Sequence, residues 1–125
     1  MTTFSSQRCI AVDDDPLSLK LAEAACKKLN LELSKASDAH QMIDLLKDKS
    51  FDLILLDNDI AGVRGYEVLE YVDSYLRPNM QIIVYSSSVT DADKSRYKRF
   101  HVKEYLIKPL SVDVIGFVMR KLLKI

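Results

Sequence analysis

The sequence predicts an α/β fold, a doubly wound five-stranded parallel sheet with five helices on its two faces. Five short apolar segments alternate with five segments of helical periodicity, and this alternation is typical of parallel β-α-β units. The middle segment, Leu53–Leu56, is apolar without interruption, as expected for a strand buried on both faces. Four of the five apolar segments end in carboxylate, hydroxyl or lysine side chains, which would meet at one edge of such a sheet.

The composition indicates one globular domain without an obvious polyanionic partner. A chain of 125 residues can bury a substantial core but is short for two domains. Eighteen basic and eighteen acidic residues give a net charge of zero, so binding to nucleic acid or to a membrane surface is not expected. No apolar stretch approaches the roughly 20 residues of a membrane span. We expect the protein to be cytoplasmic and monomeric. Cys9 and Cys26 lack metal-type spacing and are expected to be small buried side chains.

The first predicted unit follows a polar leader of residues 1–7. Cys9–Val12 is a short apolar strand that ends in three consecutive aspartates. Asp15 can cap the first helix, and Pro16 suits its first turn because the N–H groups there have no partner within the helix. The apolar face expected of this helix consists of Leu17, Leu21, Ala25 and Leu29.

The second unit combines an edge strand with an amphipathic helix. Apolar and polar residues alternate over Leu31–Ala36, as in a strand with one solvent-exposed face. Ser37 is expected to cap the second helix, with Asp38 in its first turn. The apolar stripe of this helix consists of Ala39, Met42, Ile43 and Leu46.

The third unit holds the central strand, which stops at Asp57 and passes into a loop with Gly62 and Gly65. A third helix is expected from about Tyr66 to Tyr75, because helical periodicity continues to that point. Its inner face consists of Val68, Leu69, Val72 and Leu76.

The fourth unit places a basic helix with few apolar residues after the strand Gln81–Tyr85. Thr90 followed by Asp93 indicates the start of this helix, which is expected to run to about Phe100. The residues available to pack it are Ala92, Tyr97 and Phe100. We therefore expect this helix to be weakly anchored to the core. Elements of low local stability are those from which conformational switches are drawn.

The fifth unit is the strand Glu104–Ile107 and a helix that Ser111 is expected to cap. The inner face of this helix consists of Ile115, Val118, Met119 and Leu122. Gly116 within it costs about 1 kcal/mol relative to Ala, so close packing against a neighbour is its expected reason.

The strand patterns also predict the order of the sheet. Only the second strand alternates clearly, so it is expected at an edge, and right-handed crossovers then give the flavodoxin-like order 2-1-3-4-5. The switch point of this order lies between strands one and three, both of which end in acids. The side chains expected together at the carboxyl edge are Asp13, Asp14, Asp57, Ser86 and Lys108.

This set of side chains suits phosphoryl chemistry. Several carboxylates cannot all stay ionised at close range without a cation, and hard oxygen ligands suit Mg²⁺ or Mn²⁺. Lys108 supplies a compact positive charge for a phosphate, and Ser86 supplies a hydroxyl donor. Together these groups predict phosphoryl transfer onto a carboxylate.

Four separated motifs resemble the receiver domain of bacterial two-component response regulators, in particular the stand-alone, chemotaxis-regulator-like type. They are Val12–Pro16, Asp52–Gly65, Ile82–Ser87 and Tyr105–Pro109. The resemblance implies a signalling switch or phosphate shuttle that receives phosphate from a histidine kinase or phosphotransfer protein. Because the last helix ends with the chain, we expect a single domain over residues 1–125 without an output domain, so that the output would be another, unknown protein.

The resemblance also implies a role for each matched residue. The implied roles are phospho-acceptor for Asp57; metal ligand for Asp13, Asp14, Asp57 and the backbone carbonyl of Asp59; phosphate binding for Lys108 and for the backbone of Asn58 and Ser87; and switching for Ser86 and Tyr105. Such a domain takes part in its own phosphorylation and dephosphorylation, and it is not expected to be an enzyme acting on other substrates.

Three positions depart from the family pattern. The family usually has proline where Ala61 stands, so the loop after Asp57 is expected to lose a rigid turn and become more mobile. It usually has glycine where His101 stands, and a left-handed residue there would carry a steric cost. Asp59 adds negative charge at the mouth of the site and is expected to alter metal affinity and the lifetime of the acyl phosphate.

Two alternative functions remain open on the sequence alone. The first is a pseudo-receiver that binds a partner without being phosphorylated, which the intact set of matched residues disfavours. The second is an Asp-x-Asp phosphatase, because Asp57-Asn58-Asp59 resembles the nucleophile motif of haloacid-dehalogenase-type enzymes. That family places the motif on its first strand and in a larger chain, whereas here it follows the third strand.

A surface hypothesis completes the sequence interpretation. Lys94–Lys103 carries five basic residues and no acid, which in the simplest interpretation is a solvated face near a helix C-terminus. We expect the face formed by Thr90–Ile125 to follow phosphorylation and to meet an acidic patch on a partner. His40 and His101 are expected at the surface.

Overall fold

The computed structural model describes residues 7–125 and confirms the predicted five-stranded parallel sheet with helices on both faces. The predicted leader lies outside the described residues, except for Gln7. The strands are β1 Arg8–Val12, β2 Glu32–Ala36, β3 Leu53–Leu56, β4 Gln81–Ser86 and β5 Glu104–Ile107. The helices are α1 Pro16–Lys28, α2 Ala39–Asp48, α3 Gly65–Tyr71, α4 Asp91–Tyr97 and α5 Val112–Leu123.

The strand order is β2-β1-β3-β4-β5, as predicted, and all neighbouring pairs are parallel. The register aligns the carboxyl ends of the central strands, because the N–H of Asp57 donates to the carbonyl of Val12 at 3.0 Å. The N–H of Asp13 donates in the same way to Ala36 at 3.0 Å. The residues that follow β1 and β3 are therefore neighbours at one edge of the sheet.

The sheet separates two hydrophobic cores. The core beneath α2, α3 and α4 contains Ile54, Leu56, Val84 and the fully buried Tyr97. The core beneath α1 and α5 is built from the alternate residues of the same strands, with Met119 of α5. Both cysteines are buried in this second core, as predicted. Among residues 7–125, no helix combines the length and apolarity that crossing a bilayer requires.

Several predicted helix ends are confirmed and two are wrong. The side chains of Asp15, Thr90 and Ser111 accept capping hydrogen bonds, as predicted. The cap of α2 is Asp38 rather than Ser37, because the Asp38 carboxylate accepts from the N–H of Gln41 at 2.8 Å. The third helix ends at Tyr71 and continues only as a 3₁₀ turn over Asp73–Tyr75.

Two predicted packing relations are also wrong. Of the predicted face of α1, Ala25 is buried and Leu21 and Leu29 are half-buried against the second core, but Leu17 is exposed. The fully buried positions of this helix are Ser18, Ala22, Ala25 and Cys26. A Cβ added to Gly116 would meet nothing within 4 Å, so close packing does not explain this glycine, and nothing else in the structure does.

Two of the three residues predicted to pack helix α4 do so. Tyr97 is buried and Phe100 is half-buried against the core, whereas Ala92 is exposed and the capping residue Asp93 is buried instead. The helix continues as a 3₁₀ turn over Lys98–Phe100 and ends at His101, which has a left-handed φ of 55°. The predicted steric cost at His101 is therefore present, since β-carbon clashes disfavour this region for residues other than glycine.

Candidate phosphoryl-acceptor site

The carboxyl edge of the sheet brings three aspartates together. Asp13 and Asp14 follow β1, and Asp57 follows β3. One carboxylate oxygen from each lies within 4.8 Å of the other two. Asp13 and Asp57 are buried and Asp14 is exposed. The cluster is thus open on one side only, as a site that receives a ligand from solvent must be.

Lys108 joins two of these carboxylates. Its Nζ donates to Asp13 Oδ2 at 2.8 Å and to Asp57 Oδ2 at 3.2 Å, with all three side chains largely buried. Burial acts to lower the pKa of Lys108, but the hydrogen bond to Asp13 and the two negative charges outweigh it and raise the pKa. The lysine therefore stays cationic and holds its charge beside Asp57.

The ionised form of Asp13 is disfavoured even though Lys108 contacts it. Burial raises its pKa to about 6, against the opposing hydrogen bonds from Lys108 and from the N–H of Asp15. One lysine therefore does not balance the carboxylates of this site. Hard oxygen ligands with excess negative charge are the donor set that Mg²⁺ prefers, so the residues present fit a divalent cation.

A short hairpin contacts the exposed member of the cluster. Its strands, Asp59–Ile60 and Val63–Arg64, are joined by Ala61 and Gly62 with φ of 52° and 84°, the two positive values that a type I′ turn requires. The N–H of Ala61 donates to Asp14 Oδ2 at 2.9 Å. The segment is therefore a tight turn tied to the cluster, in place of the expected loop without a rigid turn.

Proline could not adopt this conformation. Its ring fixes φ near −65° and removes the N–H, whereas Ala61 has a positive φ and uses its N–H. The side chain of Asp59 is exposed, and its N–H donates to Asp57 Oδ1 at 3.2 Å. The backbone that follows Asp57 thus contacts two of the three aspartates.

Sequence reasoning missed a buried polar network beside Asp57. The Asn58 side chain is fully buried; its Nδ2 donates to Asp93 Oδ2 and to the Ser88 carbonyl, each at 3.0 Å. The hydroxyl of Tyr97 donates to Asn58 Oδ1 at 2.7 Å. This network joins the residue after Asp57 directly to α4. The available signal in the sequence is the spacing of four residues between Asp93 and Tyr97, which places both on one side of α4, and the interpretation of Asp93 as a helix cap alone hides it.

Backbone and side-chain bonds set the charge of Asp93. Hydrogen bonds from the N–H of Thr90 and from Asn58 lower the pKa of Asp93 against the effect of burial. Burial raises the pKa of the Tyr97 hydroxyl, which therefore remains a donor. The network consequently keeps a fixed direction, from Tyr97 to Asn58 to Asp93.

The remaining predicted site residues line the same edge. Ser86 is buried at the end of β4, and the next residue, Ser87, is exposed. The Tyr105 ring is half-buried and meets the ring of Tyr97 edge-on, with centroids 5.9 Å apart. Tyr105 therefore contacts the buried network from the side of β5.

Gly65 allows the close approach of α3 to this edge. A Cβ at this position would lie 2.6 Å from the carbonyl oxygen of Asp57 and would also clash with the Tyr97 hydroxyl. The N–H of Gly65 donates to the carbonyl of Asn58 at 2.9 Å. Glycine is therefore the only residue that fits between the end of β3 and α4.

A family model described as the response regulator receiver domain matches residues 9–117. The chain is 31% identical over 110 residues to the autoinducer 2 sensor kinase/phosphatase LuxQ of Vibrio cholerae, covering 86% of this chain and 13% of that protein. It is 28% identical to the sensor histidine kinase CheAY of Helicobacter pylori, covering 93% and 15%. The chain thus spans less than a sixth of the length of these two relatives.

Solved structures show the same fold. A CheY-like receiver domain protein from Methanospirillum hungatei superimposes with a TM-score of 0.82 at 24% identity, with 96% of each chain covered. The chemotaxis protein CheY4 of Vibrio cholerae gives a TM-score of 0.83 at 18% identity, covering 94% of this chain and 99% of that one.

Proposed function

This chain belongs to the response regulator receiver domain family of two-component signalling, and from that premise we propose that it is a phospho-acceptor switch or phosphate shuttle with Asp57 as acceptor. The observation that carries the proposal is the contact of one lysine with two buried carboxylates. Lys108 lies 3.2 Å from Asp57 Oδ2 and 2.8 Å from Asp13 Oδ2. A cation held beside the acceptor can bind a phosphoryl group as it arrives.

In the proposed transfer, an Asp57 carboxylate oxygen attacks the phosphorus of a phosphohistidine. The new bond is an acyl phosphate, and the bond from phosphorus to the histidine nitrogen breaks with its electron pair. Lys108 is placed to move from carboxylate to phosphate oxygen, and Ser86 and the backbone of Asn58 and Ser87 would supply donors. The histidine kinase or phosphotransfer protein that donates the phosphate is part of this proposal.

The proposed metal site is made of Asp13, Asp14, Asp57 and the backbone carbonyl of Asp59. A bound Mg²⁺ or Mn²⁺ would neutralise charge on phosphate oxygens that approach these carboxylates. The raised pKa of Asp13 supports this assignment, because burial leaves its ionised form short of compensating charge. The N–H of Ala61 already donates to Asp14 Oδ2, and the second carboxylate oxygen of Asp14 could ligate the ion.

The proposed signal passes from Asp57 to α4. Asn58 is adjacent to the acceptor and bonded to both buried polar side chains of α4, so a backbone shift at Asp57 would move or break these bonds. Tyr105 contacts Tyr97 and is the proposed aromatic switch, with Ser86. The proposed output surface is the face of Thr90–Ile125, which would bind a downstream protein.

Part of the basic surface is already paired within the chain. Arg96 lies 3.4 Å from Glu70, and Arg99 lies 3.2 Å from Asp73. Lys98 is exposed and forms no ion pair within residues 7–125. We therefore expect Lys98, rather than Arg99, to dominate any salt-sensitive binding of an acidic partner.

Intact-mass analysis with Mg²⁺ and a small phosphodonor tests the acceptor directly. We expect the wild-type protein to gain one phosphoryl group and Asp57→Asn to gain none, while Asp59→Asn, which removes the exposed neighbouring acid, still gains it. No mass gain in the wild type would contradict the proposal and favour an unphosphorylated binding module. Turnover of a phosphomonoester would instead favour a phosphatase.

Amide chemical shifts test the switch. On addition of Mg²⁺ and beryllofluoride, a phosphoryl mimic, we expect changes across residues 90–102 as well as at the aspartates. Changes confined to the three aspartates and their neighbours would contradict coupling through Asn58. The variant Tyr97→Phe serves as the control, because it removes one bond of the network without touching the acceptor.

A further inference from the structure

A basic cavity lies at the amino-terminal edge of the sheet, one strand length away from the aspartates. It has a volume of about 740 Å³ and lies between the segment before β4, the end of the α4 turn and the end of α5. Its cationic lining residues are Arg77, Arg99, Lys103 and Lys124, with His101 beside them. None of these residues belongs to the acceptor site.

The charge of this cavity is unbalanced. Its only acidic lining residue is Asp73, which pairs with Arg99 at 3.2 Å. Within the described residues, Arg77, Lys103 and Lys124 form no ion pair. Four cations and one carboxylate leave three positive charges in a chain whose net charge is zero.

Helix dipoles account for only part of this concentration of charge. The ends of the α4 turn and of α5 lie here, and cations are favoured at such ends because each carries about half a negative charge. Two ends offset about one positive charge, so they do not balance the three cations without an ion pair. Arg77 follows the C-cap of the 3₁₀ turn Asp73–Tyr75, and Lys103 lies directly before β5.

Part of the cavity wall is apolar. Leu76, Met80, Phe100 and Leu122 are half-buried and line it. The Arg99 guanidinium lies 4.4 Å from the centroid of the Phe100 ring. Gln81 Nε2 donates to the carbonyl of Leu122 at 2.8 Å and so joins the start of β4 to α5 across the floor.

We propose that this cavity binds a phosphorylated small molecule of the nucleoside polyphosphate class. A single exposed ion pair contributes only about 0–1 kcal/mol, so a ligand must engage several of the cations at once, as a polyphosphate can. A planar base could pack one of its faces against the apolar part of the wall and so be removed from water. The volume lies within the range of about 300–1,000 Å³ that is usual for small-molecule sites.

Titration with ATP tests the proposal, in buffer with a metal chelator so that no Mg²⁺ carries the nucleotide to the aspartates. We expect amide shifts at residues 76–81, 99–103 and 122–124 and none at residues 13, 14 and 57. Inorganic triphosphate should shift the same cationic residues with weaker affinity, and adenosine should not bind measurably. Added salt should weaken ATP binding because it screens exposed charges.

A matched pair of double variants separates the site from general electrostatics. We expect Lys103→Glu with Lys124→Glu to raise the ATP dissociation constant at least about tenfold. Lys20→Glu with Lys27→Glu changes the net charge equally on exposed residues of α1 and should leave it unchanged. Resonance dispersion of each variant verifies folding.

Three results would overturn the proposal. They are an absence of amide shifts up to the solubility limit of ATP, equal weakening by the two double variants, and shifts located at the aspartate edge. Binding of triphosphate alone would also overturn the nucleotide class, because the apolar wall would then contribute nothing.

Discussion

The cores on the two faces of the sheet differ in the kind of contact that holds them together. Beneath α2, α3 and α4, the core contains a buried hydrogen-bond network of Asn58, Asp93 and Tyr97. Beneath α1 and α5, the core is mainly apolar and contains two thiols, Tyr85 and the buried Ser18 of α1. A buried polar network has few alternative arrangements that keep every group bonded, whereas apolar packing tolerates many small adjustments. The face that contains Asn58, the residue after Asp57, is therefore the one with directional contacts.

Two glycines give the largest expected difference between the faces. Gly65→Ala should destabilise the protein by about 3 kcal/mol or more, because the new Cβ would clash with backbone and a buried hydroxyl. Gly116→Ala should stabilise it by about 0.5–1 kcal/mol, because it removes glycine from a helix where space is open. Chemical denaturation of both variants measures the contrast. Similar destabilisation by both would show that α5 is packed as tightly as α3.

Two tyrosines test the role of the network by the same chemical change. Tyr97→Phe should cost about 1–3 kcal/mol, because it leaves the buried Asn58 carbonyl without its donor. Tyr85→Phe removes a hydroxyl from the opposite core that has no hydrogen-bond partner among residues 7–125, and should cost less than about 0.5 kcal/mol. Equal costs measured by urea denaturation would show that the Tyr97 hydrogen bond contributes no more to the free energy of unfolding than the unpaired hydroxyl of Tyr85.

Two buried acids should respond to pH with opposite signs. The folded pKa of Asp13 is about 6 against an ordinary value of 3.8, so the folded protein binds more protons over this interval. The free energy of unfolding of metal-free protein should therefore rise as pH falls from about 7 towards 4, and Asp13→Asn should remove that slope. The pKa of Asp93 is lowered, so its contribution is present above 3.8 and is lost as pH falls further.

Denaturation midpoints of the wild type, Asp13→Asn and Asp93→Asn across this range measure both effects. Asp93→Asn should destabilise at neutral pH and leave the slope between pH 4 and 7 intact. A wild-type slope of the opposite sign would mean that Lys108 overcompensates the burial of Asp13.

The smallest expected effect concerns the hairpin. Ala61→Gly keeps the N–H that Asp14 accepts and removes the cost of a left-handed β-carbon, so it should stabilise the protein by up to about 1 kcal/mol. Gly62→Ala, one residue later, should destabilise it by a similar amount for the converse reason. Thermal denaturation of both variants is the measurement, and stabilisation by Gly62→Ala would contradict the turn geometry.

The strand order and the aspartate edge were predictable because they depend on patterns local to each element. Leu53–Leu56 could only be a central strand, and the alternation of Leu31–Ala36 could only suit an edge. The gathering of Asp13, Asp57 and Lys108 then follows from parallel register alone. No contact between distant side chains had to be known.

The errors arise where two interpretations share one local pattern. Ser37 and Asp38 are both good caps, and the choice depends on which carboxylate or hydroxyl reaches the Gln41 N–H. The burial of Asp93 and Tyr97 depends on Asn58, more than thirty residues away in the chain. The left-handed φ of Ala61 depends on the closure of a hairpin by two residues. No single residue in the loop predicts that hairpin.

The hydrogen bond from the N–H of Ala61 to Asp14 Oδ2 ties the hairpin to the exposed carboxylate of the cluster. If a cation binds there as proposed, the position of the hairpin and the affinity of the ion would be coupled, and by reciprocity each would change the free energy of the other by the same amount. A protein that contacts the tip of this turn could thereby change the affinity of the ion without touching a carboxylate.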